Sequence, residues 1–582
     1  MNTPVVLLES YHRSGRSFLF AECIEKISAT THKDIYPALR RVEAAVRNGL
    51  HAAGFISYEA APGLDADLQV NSGSIFPLAW LGIFKERREI VAGEFFRDGE
   101  FQFSSWRPSL DELAYGQAVE NIRQHIAEGD TYQVNFTFRL RADFRGDDLA
   151  LYHRLCRNQA AGYCAYLNLG RLRVLSASPE LFFHWHNGML TTRPMKGTRR
   201  RGRTTAEDRL YAEQLTTSAK ELAENVMIVD LLRNDMGRIS EFGSVQAPNL
   251  FDVERYPTVL QMTSTITSRP LPSVGFVEIL QSLFPSGSVT GAPKIRTMQI
   301  IADLEKSPRQ VYTGCIGFVS PGPEAMFNVA IRTLLIDTHT GTAELSVGSG
   351  ITYDSLPLAE YEECLLKAQF LTQSQPDFKL LESILYERHA GYFLLDRHLA
   401  RLADSANYFG FRCNEREVIV ALQRLISGMM EGCYKVRLLL DRDGQCRLEY
   451  QKLSNQFQIS TFKVAIAREP VISDDLFLFH KTTHRPIYES RLASRPDCDD
   501  VLLINERSEL TESTLANLVI RLDGNDYTPP VSCGLLAGTF RAELLAEGKL
   551  VERVLYLEDL RKAEAIFLIN SVRRWIPATI VE

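Results

Sequence analysis

Short alternating runs such as CAYLNLG and RVLSAS give way to helical spacing over residues 205 to 235, and this change of period predicts strands interleaved with long helices. Such a mixture favours an α+β or α/β fold over a helical bundle or an all-strand sandwich. The segment RVLSASPELFFHWHNGMLTTRPMKG reads as two strands joined at Asn187 and Gly188, the dipeptide best suited to a two-residue hairpin. Lys196 then falls at a strand end. TTAE at 204 to 207 and SAKE at 218 to 221 each fit a capping box, so two helices are predicted next, the second running to about Asn234. On that second helix Glu221, Glu224 and Asn225 share a face beside the apolar run MIVDLL. A further helix is predicted after Pro357, in LAEYEECLLKAQF, with Glu360, Glu363 and Lys367 on one side and Leu365 and Leu366 turned inward. The polar stretch QSQPDF at 373 to 378 then marks the clearest boundary, giving domains 1–375 and 379–582. In the second of these, HLARLADSANYF predicts an amphipathic helix after a strand pair. LLES occurs at 7 to 10 and again at 380 to 383, but the flanks differ and the repeat reads as chance.

Composition narrows the class. At 582 residues the chain exceeds one core, since a domain takes ~150 residues. Its 45% hydrophobic and 24% charged residues are ordinary for a soluble globular protein, and a net charge of -7 argues against general affinity for nucleic acid or anionic lipid. The N-terminus lacks a basic start followed by a continuous apolar segment, and no run of eighteen apolar residues occurs, which predicts a cytoplasmic protein without a membrane partner. Ten cysteines show no CxxC pair and no ligand-like spacing with histidine, which predicts reduced thiols and neither a disulfide framework nor a zinc site.

Against that acidic balance TTRPMKGTRRRG, residues 191 to 202, is a local concentration of positive charge: Arg193, Lys196, Arg199, Arg200 and Arg201, with Arg203 just beyond. One reading is a solvated basic patch that binds a polyanion or nucleic acid. The other makes Lys196 a reagent. Two carboxylates, one from each of the two acidic helices, suit Mg²⁺, which takes few protein oxygens, keeps waters and completes its octahedron with an anionic substrate. On spacing alone, surface helices laced by their own ion pairs are the simpler reading. GSVTGAPKIRTMQI at 287 to 300 offers a glycine-containing turn with Pro293 at a helix start, where backbone amides can hold an anion. The spacing of Gly287, Gly291 and Lys294 misses GxxxxGK[ST], so a nucleoside triphosphatase loop is excluded.

SASPELF, RPMKGTRRRG, SAKELAENVMIVDLLRNDMGRI, FPSGSVTGAPKIRTM, FNVAIRTL, GSGIT and EYEECLLKA, in that order, resemble the chorismate-utilising enzymes over roughly residues 110 to 372. The resemblance implies an α/β sandwich around a Mg²⁺ and chorismate site. It assigns Glu224 and Glu363 as metal ligands, and Arg332, the Gly350 backbone and Lys367 to the substrate carboxylates. At the place of Lys196, anthranilate-forming and isochorismate-forming members usually carry alanine. The lysine form resembles the members that make aminodeoxychorismate, in which the amine adds to C2 of the ring as the C4 hydroxyl leaves, and ammonia then adds at C4 and releases the lysine. Attack needs a neutral amine, so the ordinary pKa of about 10.4 must fall, with burial and Arg193, Arg199, Arg200 and Arg201 as the expected causes. Glu180 matches the family's general acid for the departing hydroxyl. Gln133 stands where isochorismate-forming members carry a water-activating lysine, which disfavours water as the nucleophile. ELAEN at 221 to 225 departs from the more usual DRAEN, and LLES at 7 to 10 resembles the tryptophan site of anthranilate-forming members, although a buried strand and turn explains it equally well. No cysteine stands in a GxCxG elbow, so ammonia is expected from a separate glutamine amidotransferase subunit or from solution.

Downstream, HLARL, FHKTTHRPIYE, LTESTLANLVI, TPPVSCGLLAGTFR and FLINSVRRWIPA resemble the class IV pyridoxal-phosphate enzymes, aminodeoxychorismate lyases in particular, over nearly all of residues 379 to 582. This implies an α+β domain like that of the D-amino acid aminotransferases. Lys481 would hold the cofactor, Glu512 would partner its ring nitrogen, and Arg401, Gly538 and Thr539 would bind its phosphate with Ser571. Arg574 stands where many relatives have glycine. A homodimer through this domain is the expected assembly. Together the two resemblances imply that chorismate and ammonia become aminodeoxychorismate, which is cleaved to pyruvate and 4-aminobenzoate for folate synthesis. The rivals are an anthranilate synthase large subunit fused to a class IV aminotransferase, a transaminase for D-amino or branched-chain substrates in the second domain, since Lys481, Glu512 and Arg401 serve any such chemistry, and a basic-patch binding protein.

Overall fold

In the computed structural model, which describes residues 5–12, 15–73, 76–371, 376–453 and 461–581, the hairpin forms as its turn dipeptide dictates. Asn187 and Gly188 both take positive φ, 51° and 72°, and join antiparallel strands Leu181–His186 and Met189–Arg193. One compact unit comprises residues 1–200 and 211–375, and a second comprises 376–582 with 201–210. Of the stretch 373 to 378, residues 373 to 375 lie outside the described residues.

Among the described residues the first unit contains an eleven-stranded and a ten-stranded sheet. Alternation along the strands decides what each face buries: Val6 and Leu8 join Phe18, Phe55, Phe84 and Phe318 between the sheets, whereas Leu7 points to the opposite face of its own sheet. Helices His32–Arg47, Ala219–Gly237 and Phe276–Leu283 cover the outer face of the ten-stranded sheet through Leu39, Leu232 and Leu280. Glu112–Ala127, Asp148–Gln159 and Pro357–Ala368 cover the other through Tyr115, Leu155 and Tyr361. Each fully buried phenylalanine contributes roughly 1.5–3 kcal/mol to this core.

Three features bear on the site. Strand Gln133–Gly146 pairs along Thr342–Ile351, setting Asn135 opposite Gly350. The helix Ala219–Gly237 is capped by Ser218, whose Oγ accepts from Glu221 N at 3.4 Å, and it runs three residues past the expected end. Before it, Thr205–Thr217 has half of the expected box: Thr204 Oγ1 accepts from Glu207 N at 3.2 Å, but the Glu207 carboxylate takes Arg203 N at 2.7 Å. The inward placement of Leu365 and Leu366 is corrected. They are 38% and 54% exposed, while Tyr361 and Cys364, spaced three apart, form the face pressed on the sheet.

Among its described residues the second unit has a four-stranded sheet, Leu380–Glu387, Gly391–Tyr392, Cys433–Leu440 and Cys446–Leu453, under helices Leu395–Phe409 and Glu415–Ser427. An eight-stranded sheet follows, and helix Thr539–Ala546 packs Phe540 and Leu544 on its Val519 and Ile569. All ten cysteines are free. Among the described residues no helix is long and apolar enough to cross a membrane.

Candidate active sites

Lys196 sits on strand Met195–Arg200, whose register against Val259–Ser268 slips between Met195 and Thr198. Gly197 takes φ 90° in this bulge, so the strand bends where the lysine leaves it. A Cβ on Gly197 would come within 3.0 Å of Glu221 Oε2, so the bulge abuts the helix that carries Glu224. Lys196 Nζ in turn faces Gly350: a Cβ there would lie 2.7 Å from Nζ and 2.1 Å from Gln133 Nε2. Gln133 is 1% exposed, and neither atom of its amide has a hydrogen-bond partner. A buried amide left so is a group for a ligand to satisfy.

Glu180, 3% exposed, accepts from Ser288 Oγ at 2.6 Å, and Ser286 Oγ lies 2.9 Å beyond. Burial pushes its carboxyl up to about 7, against the Ser288 hydroxyl and the Lys196 ammonium. It is therefore a poised acid near neutral pH. Burial also lowers Lys196 from the ordinary lysine value; Glu224, Glu180 and Glu363 oppose that shift and Lys367 reinforces it.

The arginines do not play the part expected of them. Arg193 pairs with Glu254, Arg199 and Arg200 lie over the Tyr211 ring at 5.3 and 6.0 Å, and Arg201 pairs with Asp208 at 2.6 Å and lies over Tyr408. Burial and Lys367 are what favour the neutral amine, since each of these arginines answers to its own carboxylate or ring.

Burial raises Glu224; Lys196 and Lys220 oppose this, while Glu360 and Glu363 add to it. Against burial, Lys367 at 2.7 Å holds Glu363 below the usual carboxylate range. Two helices thus bring carboxylates within each other's field, a set of hard oxygen donors that fits Mg²⁺ with water ligands. Lys367 Nζ also donates to Gly348 O at 3.0 Å. Arg332, at φ 50°, donates to Gln159, and burial lowers it to about 10 against Tyr256 and Tyr312. Tyr312 is also in the field of Lys367, which links Arg332 to the group. Beside the turn at 287 to 293, Lys294 closes on Asp235 Oδ2 at 2.8 Å and Leu283 O at 3.2 Å.

In the second unit, burial brings Lys481 down to about 8, helped by Arg401 and Arg485 and opposed by Glu382 and Glu512. Glu512, 4% exposed, accepts from Tyr488 OH at 2.8 Å, Leu536 N at 3.2 Å and Asn517 Nδ2 at 3.2 Å, and burial pushes it up to about 7. Glu382 grips Arg401 through Nε at 2.9 Å and Nη2 at 2.7 Å, and Arg401 Nη1 donates to Ala537 O at 3.1 Å. That grip and His398 Nδ1 at 2.6 Å hold Glu382 down to about 2 against burial. His398 Nε2 lies 3.3 Å from Thr539 Oγ1. Gly538, where a Cβ would meet Asn517 Oδ1 at 1.9 Å, precedes helix Thr539–Ala546, so a helix N-terminus opens beside Arg401. Ser571 Oγ donates to Ser383 O at 3.2 Å. An amine, a buried carboxyl and a cationic helix end are the three fittings that pyridoxal phosphate requires. Arg574 occupies φ 60°, where glycine is unstrained, and is held by Glu387 at 2.9 Å and the Phe393 ring.

Sequence reasoning passed over Ser288, Glu382, His398 and Tyr488. Ser288 lies inside FPSGSVTGAPK, and Glu382 in the LLES that reads as chance; their partners are far away in sequence, so no local signal singled them out.

Residues 3–373 match the family described as chorismate binding enzyme, and residues 379–581 match amino-transferase class IV. The chain is 36% identical over 343 residues to anthranilate synthase component 1 of Methanothermobacter thermautotrophicus, covering 55% of this chain and 73% of that one. It is 41% identical over 260 residues to aminodeoxychorismate synthase component 1 of Salmonella typhimurium, covering 45% of this chain and only 57% of the relative. The crystal structure of anthranilate synthase component I from Streptococcus pneumoniae superposes with a TM-score of 0.56 at 27% identity, covering 63% of this chain and 93% of that one.

Proposed function

The chain belongs to the chorismate binding enzymes, and from that premise we propose that it makes 4-aminobenzoate in two steps: amination of chorismate to aminodeoxychorismate in the first unit, then release of pyruvate in the second. The observation that carries the reading is Lys196 in its bulge, facing Gly350 and the unpartnered Gln133, with Glu180 poised at about 7. Neutral Lys196 Nζ adds to C2 of the ring, both ring double bonds shift by one position, and Glu180 gives its proton to the leaving C4 hydroxyl. Ammonia then adds at C4, both double bonds shift back, and the bond from C2 to Lys196 breaks. Lys367, Arg332 and the Gly350 backbone hold the substrate carboxylates. Glu224 and Glu363 would hold Mg²⁺, whose charge would offset that of the bound dianion. The absence of a lysine at Gln133 favours ammonia over water, and its source is a glutamine amidotransferase partner or ammonium in solution.

In the second unit Lys481 takes the C4 proton as the enolpyruvyl group leaves, and Glu512, Arg401, Gly538, Thr539 and Ser571 would hold pyridoxal phosphate. That group, when bound, supplies the electron sink for proton loss. The protein is read as cytoplasmic, with a homodimer through this unit as its assembly. A second reading, anthranilate formation, has support in the anthranilate synthase relative. Lys196 speaks against it, since that chemistry aminates C2, where this lysine attacks.

The test supplies chorismate, Mg²⁺ and ammonium to Lys196→Ala and Lys481→Ala. The first is expected to lose aminodeoxychorismate formation by about 100-fold or more while still cleaving added aminodeoxychorismate, and the second to do the converse. Anthranilate fluorescence from the wild-type chain, or full 4-aminobenzoate formation by either variant, would overturn the assignment.

A further inference from the structure

A buried guanidinium is costly unless each donor is met, and Arg309, 2% exposed, meets all five of its N–H groups within the protein. Nε donates to Glu305 Oε2 at 3.0 Å. Nη1 donates to Val289 O at 2.9 Å and Thr313 Oγ1 at 3.3 Å, and Nη2 to Asn135 O at 2.6 Å and Glu305 Oε1 at 2.6 Å. The Tyr58 ring lies 4.5 Å from the guanidinium carbon, and Glu59 takes the backbone N–H groups of Arg309 and Gln310 at 2.6 and 2.8 Å. Glu305 also takes Thr137 N at 2.9 Å and Thr137 Oγ1 at 2.8 Å, so the anchor is itself anchored.

Two of those five bonds reach the catalytic machinery at one remove. Val289 follows Ser288, the residue that holds Glu180. Asn135 sits opposite Gly350, the residue that faces Lys196, and its N–H donates to Thr290 O at 2.8 Å. One planar fork therefore fixes the loop behind the acid and the strand pair behind the amine. A lysine, with three donors on a single atom, cannot span both carbonyls and the carboxylate.

We infer that Arg309 is a positioning residue for the amination step, setting the Ser288 and Glu180 pair against the Gly350 strand that faces Lys196. This rests on the proposed amination of chorismate. All five donors are spent on protein, so Arg309 acts through these groups and its loss is read in kcat more than in KM.

The test is a double-mutant cycle on the full chain with Mg²⁺, chorismate and ammonium, comparing wild type, Arg309→Lys, Ser288→Ala and the pair. Arg309→Lys is expected to lose about 10- to 100-fold in kcat with chorismate KM within about 3-fold. The pair is expected to lose no more than the worse single variant, because both act on Glu180. Cleavage of added aminodeoxychorismate stays at the wild-type rate as a control. Losses that multiply, or a loss confined to KM, overturn the inference. Thr313→Val keeps the charge and removes one acceptor, so it serves where Arg309→Lys does not fold: a smaller kcat loss, about 2- to 5-fold, is expected to vanish in the Ser288→Ala background, and its persistence there overturns the inference equally. A wild-type chain that forms no aminodeoxychorismate would sink the proposed function instead, a result distinct from either of these.

Discussion

At the scale of single residues, Glu180 carries the sharpest pH signature. Its folded value of about 7 lies above the ordinary carboxyl value of 4.5 because burial disfavours the charge. As an acid it works only while protonated, so its share of activity is present at low pH and is lost as pH rises through about 7. Ser288 donates to the ionised form and holds that value down, so Ser288→Ala should raise it further and carry the basic limb of kcat/KM to higher pH, even as the overall rate falls. A basic limb that stays put or moves down would count against Glu180 as the acid. The motif led to Glu180 and Lys196, but the arginine run misled about what surrounds them: charge counted along a strand does not say which face each side chain takes, and Arg193, Arg199, Arg200 and Arg201 all turn to other partners. Nor did sequence point to Arg309, whose partners Asn135, Val289 and Glu305 come together only in the fold.

At the scale of elements, local rules predicted what local chemistry decides. The Asn187 and Gly188 hairpin formed as read, and of the box expected at Ser218 the hydroxyl half formed. The bulge at Gly197 was not legible, because a slipped register depends on the partner strand Val259–Ser268 and not on alternation in the strand itself. Helix Pro357–Ala368 was foreseen, but its buried face was misassigned, since apolar identity alone pointed to Leu365 and Leu366 while the sheet took Tyr361 and Cys364. Gly350 shows what strand packing demands of one position. Gly350→Ala would place a methyl 2.1 Å from Gln133 Nε2 and 2.7 Å from Lys196 Nζ, both ends of side chains that can move aside. The variant is expected to fold, to melt within a few degrees of wild type, and to lose about 100-fold in aminodeoxychorismate formation, because an amine displaced by about 1 Å loses its approach to the ring. Differential scanning calorimetry beside the rate assay checks both halves of that expectation; an unaltered rate would mean that Lys196 is not the attacking group.

At the scale of the whole molecule, the two units carry different chemical demands, and those demands can be separated in one tube. The first unit presents Glu224 and Glu363, whose mutual repulsion a divalent cation would relieve. The second presents Lys481, Glu512 and the Arg401 helix end, where Glu382 is already paired with Arg401 at 2.7 Å and lies 2.6 Å from His398 Nδ1. Chelation with EDTA should therefore stop aminodeoxychorismate formation from chorismate and ammonium while added aminodeoxychorismate still yields 4-aminobenzoate at the untreated rate. Stripping pyridoxal phosphate with hydroxylamine should do the reverse: aminodeoxychorismate accumulates and pyruvate does not appear. Added Mg²⁺ should restore only the first step, and added pyridoxal phosphate only the second. If EDTA stopped both steps, the metal would be serving the fold of the whole chain, and the assignment of Glu224 and Glu363 to an ion that serves amination would fail.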